Sequence, residues 1–467
     1  MQDERSIMLG NMNVRKLLIK MSIPATIAMV MNALYNLVDT IFVSWQDGEI
    51  AIGALSIAFP VQMIVMAIGL MIGIGSSSVF SRAYGRNDKE AMQRSVNTAI
   101  AFNLLLSLVI MMFGLIFIDD LLVFFGATSS NIGFARDYLF FILIGLPPFS
   151  MSLVLNNLTR AEGRANVAMI SLLIGGGLNI ILDPIFIFDF GFGMGVSGAA
   201  LATVIAKSAS FAFVFYMALG KKSALNINLK KLYKLDYKMI GEISLIGMPT
   251  FVRNVLGAAL VIVVNNLINY YAVGDPAIYI SIYGVITRII MFSLLPGLGL
   301  VQGLTPIVGF NYGAKFYKRL FEVIAYTRRL LTIYFLTMTL VVIIFAEYIF
   351  RLFASASEDS AFFMSHGVMA MRIVALAFVM IAFQILLSSV YQAMGYALRA
   401  FFVALSRQFI LFIPIAFLFS HLFGVVGIWW TFVAADVIAG ILSLIVYVFE
   451  MRELRGKFSQ TSIASEG

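Results

Sequence analysis

Cysteine is absent from the 467 residues, so neither a disulfide framework nor a thiolate metal site can form. Two histidines, His366 and His421, are too few for a histidine-rich metal centre. Charge is scarce as well. Asp, Glu, Lys and Arg make up 12% of the chain, against roughly 25% in an average soluble domain, while 61% is hydrophobic and the mean hydropathy is +0.97. These values exclude a soluble globular protein and define an integral membrane protein. The net charge of +8 does not point to a nucleic-acid partner, because the basic residues sit between apolar runs and read as topology signals. Gly220-Lys221-Lys222-Ser223 lacks the earlier glycine of a P-loop, so energy must come from an ion gradient rather than from that type of ATPase. No His-Glu-x-x-His motif occurs, and the contexts Leu37-Val38-Asp39-Thr40 and Leu182-Asp183-Pro184-Ile185 lack the Gly-x-Gly-Asp pattern of intramembrane aspartyl proteases. An enzyme is not expected. Nor is a cleavable signal peptide, because the first apolar stretch outruns an h-region and has no small-residue cleavage site before it.

What is abundant is apolar sequence. Runs at 17–44, 51–80, 95–118, 134–159, 166–188, 195–219, 239–271, 277–308, 321–350, 362–393, 398–420 and 424–449 each reach the length of about 20 residues that spans a bilayer. Twelve transmembrane helices are expected, several long enough to tilt or kink. Pro24, Pro60, Pro184, Pro249, Pro296, Pro306 and Pro414 fall inside them. The connecting segments alternate in sign. Arg5, Arg15 and Lys16 precede the first run, Asp47 and Glu49 follow it, and Arg82, Arg86, Lys89 and Arg94 follow the second. The alternation continues to Arg452, Arg455 and Lys457, which places both termini in the cytoplasm. The long polar stretch 221–238 separates two six-helix lobes, 1–220 and 239–452, and 453–467 is expected to be a flexible tail.

The two halves resemble each other. Leu155–Gly163 matches Leu387–Gly395, Gly69 and Gly75 match Gly297 and Gly303, Pro184 matches Pro414, and Gly195 and Gly198 match Gly424 and Gly427, all at offsets of 228–232. Six helices restore orientation, so the repeat is parallel, about an axis along the membrane normal. This is a transporter arrangement with the path between the halves.

Against this repeat two stretches stand out. Asn36 precedes Asp39 by three residues and Asn179 precedes Asp183 by four, which puts amide and acid on one helix face. Asp183 corresponds to Ile413 and Asp39 to about Asn265, so the acids belong to the N-terminal half alone. A carboxylate at membrane depth is costly and marks function by default; the competing account is a structural ion pair or a snorkelling end residue. Two acids at similar depth can share a cavity and carry protons as a coupled pair. With Asn36, Asn179 and Thr203 they also supply hard oxygen ligands suited to Na⁺. Both readings use the same residues. Tyr35, Asn156, Asn157, Lys207, Arg288, Gln384 and Asp436 are candidates for the substrate cavity. Asn156 and Asn157 point about 100° apart, so one of them can face the acids. Lys207, whose repeat equivalent is Asp436, reads first as a lobe-locking ion pair, and Arg253 as a residue snorkelling near the cytoplasmic end of its helix. Gly175-Gly176-Gly177 makes the fifth helix a candidate moving part.

Taken together, these features resemble the multidrug and toxic compound extrusion (MATE) family. The resemblance rests on the two six-helix lobes, Pro24, Tyr35–Asp39, Arg160-Ala161-Glu162-Gly163, Asn179-x-x-x-Asp183-Pro184, and Ser81–Gly85 echoed by Gly309–Gly313. It covers nearly the whole chain. The N-lobe acids are similar to those of the prokaryotic DinF-type branch, and Arg253 and Asn254 stand where the NorM-type branch has an acid. The resemblance implies an all-α fold with an outward-facing V of two lobes in the prokaryotic cytoplasmic membrane. It implies antiport of amphipathic, often cationic small molecules against H⁺ or Na⁺, with no cofactor. The coupling site would be Asp39, Asn179, Asp183 and Thr203 with Asn156 or Asn157 beside it, and Pro24, with Pro184, would act as hinge. Membrane lipid is the other expected partner, and a monomer is expected. The runner-up is a lipid-linked saccharide flippase of the same superfamily, whose more cationic cavity Lys207, Arg253 and Arg288 keep open. A membrane scaffold or enzyme is the third reading, against which the buried acids and the missing motifs argue.

Overall fold

The computed structural model describes residues 4–125, 132–220, 222–228, 235–353 and 360–463. Lys221, most of the polar stretch after 228, and residues 464–467 of the expected tail lie outside them, as do the side chains of Asp47 and Glu49. The described chain is helical throughout. Its helices are α1 (Glu4–Asn11), α2 (Val14–Gly85), α3 (Lys89–Ile116), α4 (Ile118–Phe124), α5 (Ile132–Ile144), α6 (Leu146–Ala161), α7 (Ala165–Ile187) and α8 (Gly195–Leu219). They continue with α9 (Tyr237–Tyr271), α10 (Pro276–Gly313), α11 (Tyr317–Arg351), α12 (Ser360–Ala375), α13 (Phe378–Met394), α14 (Ala397–Leu405), a π-helical turn Ser406–Leu411, and α15 (Phe412–Ile463). Among the described residues nine segments are long and apolar enough to cross a membrane, or eleven when two bent pairs each count as one crossing.

Local chemistry sets the helix starts. The Asn13 side chain accepts from the Arg15 and Lys16 amides, Asp88 from Ala91, Asp236 from Met239 and Asp275 from Ala277, each supplying an acceptor to the otherwise unpaired first turn. Pro276 follows Asp275 at the first helical position, where its missing N–H costs nothing.

The structure departs from the expected runs in four places. The first two runs are one element, α2, carrying the spans Val14–Val43 and Pro60–Gly85. A straight helix of this length, 72 residues, would measure about 108 Å. Yet Gly10, just before it, packs on the rings of Phe310 and Phe316, and Gly85, at its end, packs on the Phe310 carbonyl. Both ends therefore meet the same turn of α10, and α2 doubles back between its two spans. The fourth run is a pair, α5 and α6, bent by 51°. Pro147 and Pro148 explain this bend, since neither has an N–H for the preceding turn. The tenth run is likewise bent by 43° between α12 and α13, and no proline or glycine sits at that break. The last two runs join through α14, the π-turn and α15, which breaks at Gly424 (φ 60°, ψ −143°). Only glycine takes that conformation readily. No proline interrupts α15 beyond the apolar run, and it continues to Ile463.

Backbone geometry repeats at the same offsets as the sequence. Positive φ recurs at Asn87 and Lys315 (58° and 60°), Gly163 and Gly395 (87° and 85°), and Gly195 and Gly424 (55° and 60°). Polarity is turned inward, as a bilayer demands. α3 exposes Leu105, Val109, Met112 and Ile116 along one face and buries Asn97, Asn103 and Ser107. Ser150 Oγ donates to Asn103 Oδ1 at 2.6 Å.

The halves meet at the end of the bundle where α2 both begins and ends. Ser22 Oγ donates to the Leu300 carbonyl (3.1 Å), Ser78 Oγ to the Gln392 carbonyl (2.5 Å), and Arg82 pairs with Glu242 (2.9 Å). Glycines let the backbones touch there. A Cβ on Gly75 would lie 2.0 Å from the Ile243 carbonyl oxygen, one on Gly247 2.0 Å from that of Met71, and one on Gly299 2.6 Å from Thr26 Cα. Asp39 lies toward the opposite end of the first span of α2.

Candidate functional site

Asp39 and Asp183 each sit four residues before the end of a span, at Val43 and Ile187, roughly 6 Å of helix rise. Both are buried, and their charges are within electrostatic reach of each other. α7 presents Asn179 one turn before Asp183, and Asn179 Nδ2 donates to Asp183 Oδ1 (2.8 Å) and to Thr203 Oγ1 on α8 (3.3 Å). Three acceptors in this group have no hydrogen-bond partner among the described residues although they are sealed from solvent: Asp39 Oδ1, Asp183 Oδ2 and Asn179 Oδ1. A buried acceptor without a donor costs about 1–3 kcal/mol, more when charged. The three unpartnered atoms are all oxygens, the kind of acceptor that suits a proton or a hard cation. Among the described residues no cluster of three His, Cys, Asp or Glu side chains forms a metal centre. Gly176 lets α7 come close to the first span, since a Cβ there would lie 3.1 Å from Met31 and 3.5 Å from Tyr35.

Among the described residues Lys207 does not form the expected ion pair. Its ammonium lies over the Tyr35 ring, 3.9 Å from the centroid, and 5.7 Å from that of Phe149, with Asp39 within electrostatic reach. Tyr35 is one turn before Asp39, so the cation and the acid share a side of α2. Asn36 goes elsewhere: it is exposed, and its amide donates to the Asn32 carbonyl (2.7 Å). The carbonyl one turn back captures the amide. The two asparagines of α6 divide their tasks. Asn157 Nδ2 donates to the Leu153 carbonyl and its Oδ1 accepts from Arg160, against Gly73. Asn156 donates to Ser152 Oγ, which meets Ser210 on α8, and its Oδ1 has no partner among the described residues. Asn156 is the one that retains free hydrogen-bonding capacity.

In the C-terminal half Asp436 is an ion-pair partner rather than a free acid. Arg407 Nε and Nη2 reach its two oxygens, the second at 3.2 Å, and Gln384 Nε2 donates to its backbone carbonyl (3.1 Å). Arg253 is near the middle of α9 rather than near an end, where a snorkelling residue would sit. Arg288 is exposed on α10. It lies eleven residues before Gly299, about three turns, and so on the helix face that touches Thr26. An apolar groove lined by Phe419, Phe423, Val426 and Trp430 belongs to neither cluster.

Two segments, 24–185 and 249–418, match the MatE family model. The chain belongs to the MatE family. It is 27% identical over 453 residues to the multidrug export protein MepA of Staphylococcus aureus strain MSSA476, covering 97% of this chain and 98% of that protein. MepA of Staphylococcus haemolyticus strain JCSC1435 is 28% identical over 452 residues, with 97% of each covered. Among solved structures, the MATE multidrug transporter DinF-BH is 36% identical with a TM-score of 0.86, covering 96% of this chain and 97% of that one. An outward-facing multidrug resistance MATE transporter is 26% identical with a TM-score of 0.89, covering 97% and 99%. MatE proteins are multi-pass membrane transporters, not enzymes.

The MatE fold brings in residues that the sequence reading passed over. Tyr138 of α5 is buried near both acids, and its hydroxyl accepts from Gln62 (3.2 Å). Tyr138, Val43, Ile142, Ile187 and Val196 form an apolar plug at the acid end of the N-terminal half. Glu162, at the far end of α6, is fully buried. It accepts from the Ala224 amide (2.7 Å) and Ser223 Oγ (3.0 Å), and pairs with Arg164 (3.1 Å) and Arg5 (3.5 Å). Burial pushes its carboxyl up from the usual range, and the two arginines partly offset this. The run of Arg160, Glu162 and Arg164 was the available signal. For Arg407 there was none, since its partner lies 29 residues away.

Proposed function

We propose that the protein is a secondary active exporter of amphipathic, often cationic compounds, driven by antiport of H⁺ or Na⁺. One observation carries this reading: Asp39, Asp183 and Asn179 hold three buried acceptor oxygens with no donor among the described residues. A proton would convert one of them into a donor, and Na⁺ would take them, with Thr203, as ligands. Residues 1–220 and 239–452 act as the two lobes, joined by 221–238. The ion reaches the acids from the end at which the lobes separate. Its arrival neutralises them and resets α2, α7 and α8, and substrate leaves on that side. In the opposite state the ion is lost to the cytoplasm and substrate is taken up. Ion and substrate therefore favour opposite states, which is what exchange requires. Pro24 is suited to the switch because it lies between Ser22 and Thr26, both of which touch α10.

The test is dye efflux from proteoliposomes under separately imposed H⁺ and Na⁺ gradients. Asp39→Asn and Asp183→Asn are expected to lose gradient-driven efflux, by about tenfold or more. Undiminished ion-driven efflux in Asp39→Asn would sink the proposal. The flippase reading is favoured by Arg253 and Arg407, and movement of a lipid-linked saccharide without dye efflux would select it.

A further inference from the structure

We infer that the C-terminal half contains an anion site, in which Arg253 and Arg407 receive the carboxylate or phosphate group of an amphipathic solute. The two arginines come from different elements. Arg253 is in the middle of α9, and Arg407 is on the π-helical turn packed against it. A Cβ on Gly257, one turn after Arg253, would lie 3.8 Å from Gln408 Nε2, so this face of α9 looks onto the π-turn. The π-turn that carries Arg407 and Gln408 therefore packs on the stretch of α9 that carries Arg253 and Gly257.

Their partners do not balance them. Asp436 occupies Nε and Nη2 of Arg407. A guanidinium has five N–H donors, so Arg407 keeps three. Asp436 is set behind, with 3% of its side chain exposed, while Arg407 presents 27%. Arg253 is half-buried and makes no hydrogen bond or ion pair among the described residues. Two cations against one acid leave a net positive charge at membrane depth, which is expensive unless a ligand or water-filled path uses it. A two-oxygen anion matches the fork geometry of arginine. The π-turn itself is a departure that proteins tend to keep at functional sites, and its Gln408 Oε1 is buried without a partner among the described residues. The two clusters are thus of opposite polarity. Two acids and one lysine face two arginines and one acid, and the repeat pair Lys207 and Asp436 is reversed in sign.

That the anion belongs to a transported solute rests on the efflux reading; that the arginines bind an anion does not. The test uses the full-length protein in detergent and a matched pair of dyes, rhodamine B with its free carboxylate and the ethyl ester of rhodamine B without it. Binding is read by fluorescence polarisation. Arg253→Gln is expected to weaken rhodamine B about tenfold or more while changing the ester less than about twofold, and Arg253→Lys to recover part of the loss. Unchanged ester binding also reports that the variant is folded. Equal weakening of both dyes, or no change in either, would overturn the proposal. Dodecyl phosphate is expected to compete with rhodamine B. Competition by inorganic phosphate as well supports a site for any free anion, and competition by neither counts against the site. If vesicles export neither dye under any gradient while Arg253 still discriminates between them, the efflux reading fails and the anion site stands.

Discussion

Gly75→Ala is expected to force the two halves apart at the end where they touch. The new Cβ would lie 2.0 Å from the Ile243 carbonyl oxygen and 2.8 Å from its carbon. Both are backbone atoms, so no rotamer change relieves the overlap. Ordinary contact begins near 3.4 Å, which requires α2 and α9 to separate locally by about 1.4 Å. Overpacking by one methyl in a closed interior costs about 1–3 kcal/mol, and a rigid backbone contact belongs at the upper end. A cost of about 3 kcal/mol charged only to the contacting state changes the ratio of separated to contacting molecules by about 150-fold. The absence of cysteine makes the measurement direct. Single cysteines at the exposed Lys89 and Lys318, one in each half, carry spin labels with no background thiols. Pulsed dipolar spectroscopy should show the short-distance population give way to a longer one. Gly177→Ala is the control, because its Cβ would meet nothing within 4 Å. An unchanged distance distribution in Gly75→Ala, with unchanged thermal stability, would refute the reasoning.

Three further outcomes are expected. Glu162→Ala removes the acceptor for Ser223 and the Ala224 amide and leaves Arg164 and Arg5 without their acid; about 3 kcal/mol of stability should be lost. Thermal unfolding in detergent reads this, and limited proteolysis should cut 221–238 faster. Lys207→Met should cost no more than about 1 kcal/mol, the worth of its stacking on Tyr35. It should nonetheless lower gradient-driven efflux about tenfold, since it removes the cation beside Asp39; full efflux in that variant would show that Lys207 only packs. The Arg94 guanidinium holds the Asp236 carboxyl below the usual aspartate value of 3.8. This pair's contribution is complete above that value and is lost as pH falls through the lower folded value. Half of Arg94 is exposed, so the contribution is at most about 0.5 kcal/mol. Comparing acid unfolding of the wild type with Arg94→Gln isolates it.

Much of the N-terminal site was legible because its key spacing is local. Asn179 and Asp183 are one helical turn apart, and the bond between them follows from helix geometry alone. Thr203 required the packing of α8 on α7. The same logic failed for Asn36, because an amide three residues before an acid has a competing acceptor in its own helix, the Asn32 carbonyl. Asn156 and Asn157 were indistinguishable by spacing, and only the neighbours separate them: Gly73 and Arg160 occupy one, the serines of α6 and α8 the other. Lys207 and Asp436 hold equivalent positions in the repeat, but one lies over an aromatic ring and the other pairs with an arginine on the π-turn. The bend at Pro147 and Pro148 has a sequence cause, whereas the 43° bend after α12 has none in its own residues.

Hydropathy and helix period alone determined that this is a helical membrane protein with acids set inside two of its helices. These are properties of short windows, and the bilayer enforces them residue by residue. Which buried oxygens lack a donor among the described residues and which end of the bundle the halves close on were decided by tertiary structure. Each depends on groups far apart in the chain, such as Ser22 and the Leu300 carbonyl, 278 residues apart. Helix packing brings them within hydrogen-bonding distance, and no local pattern records that it does.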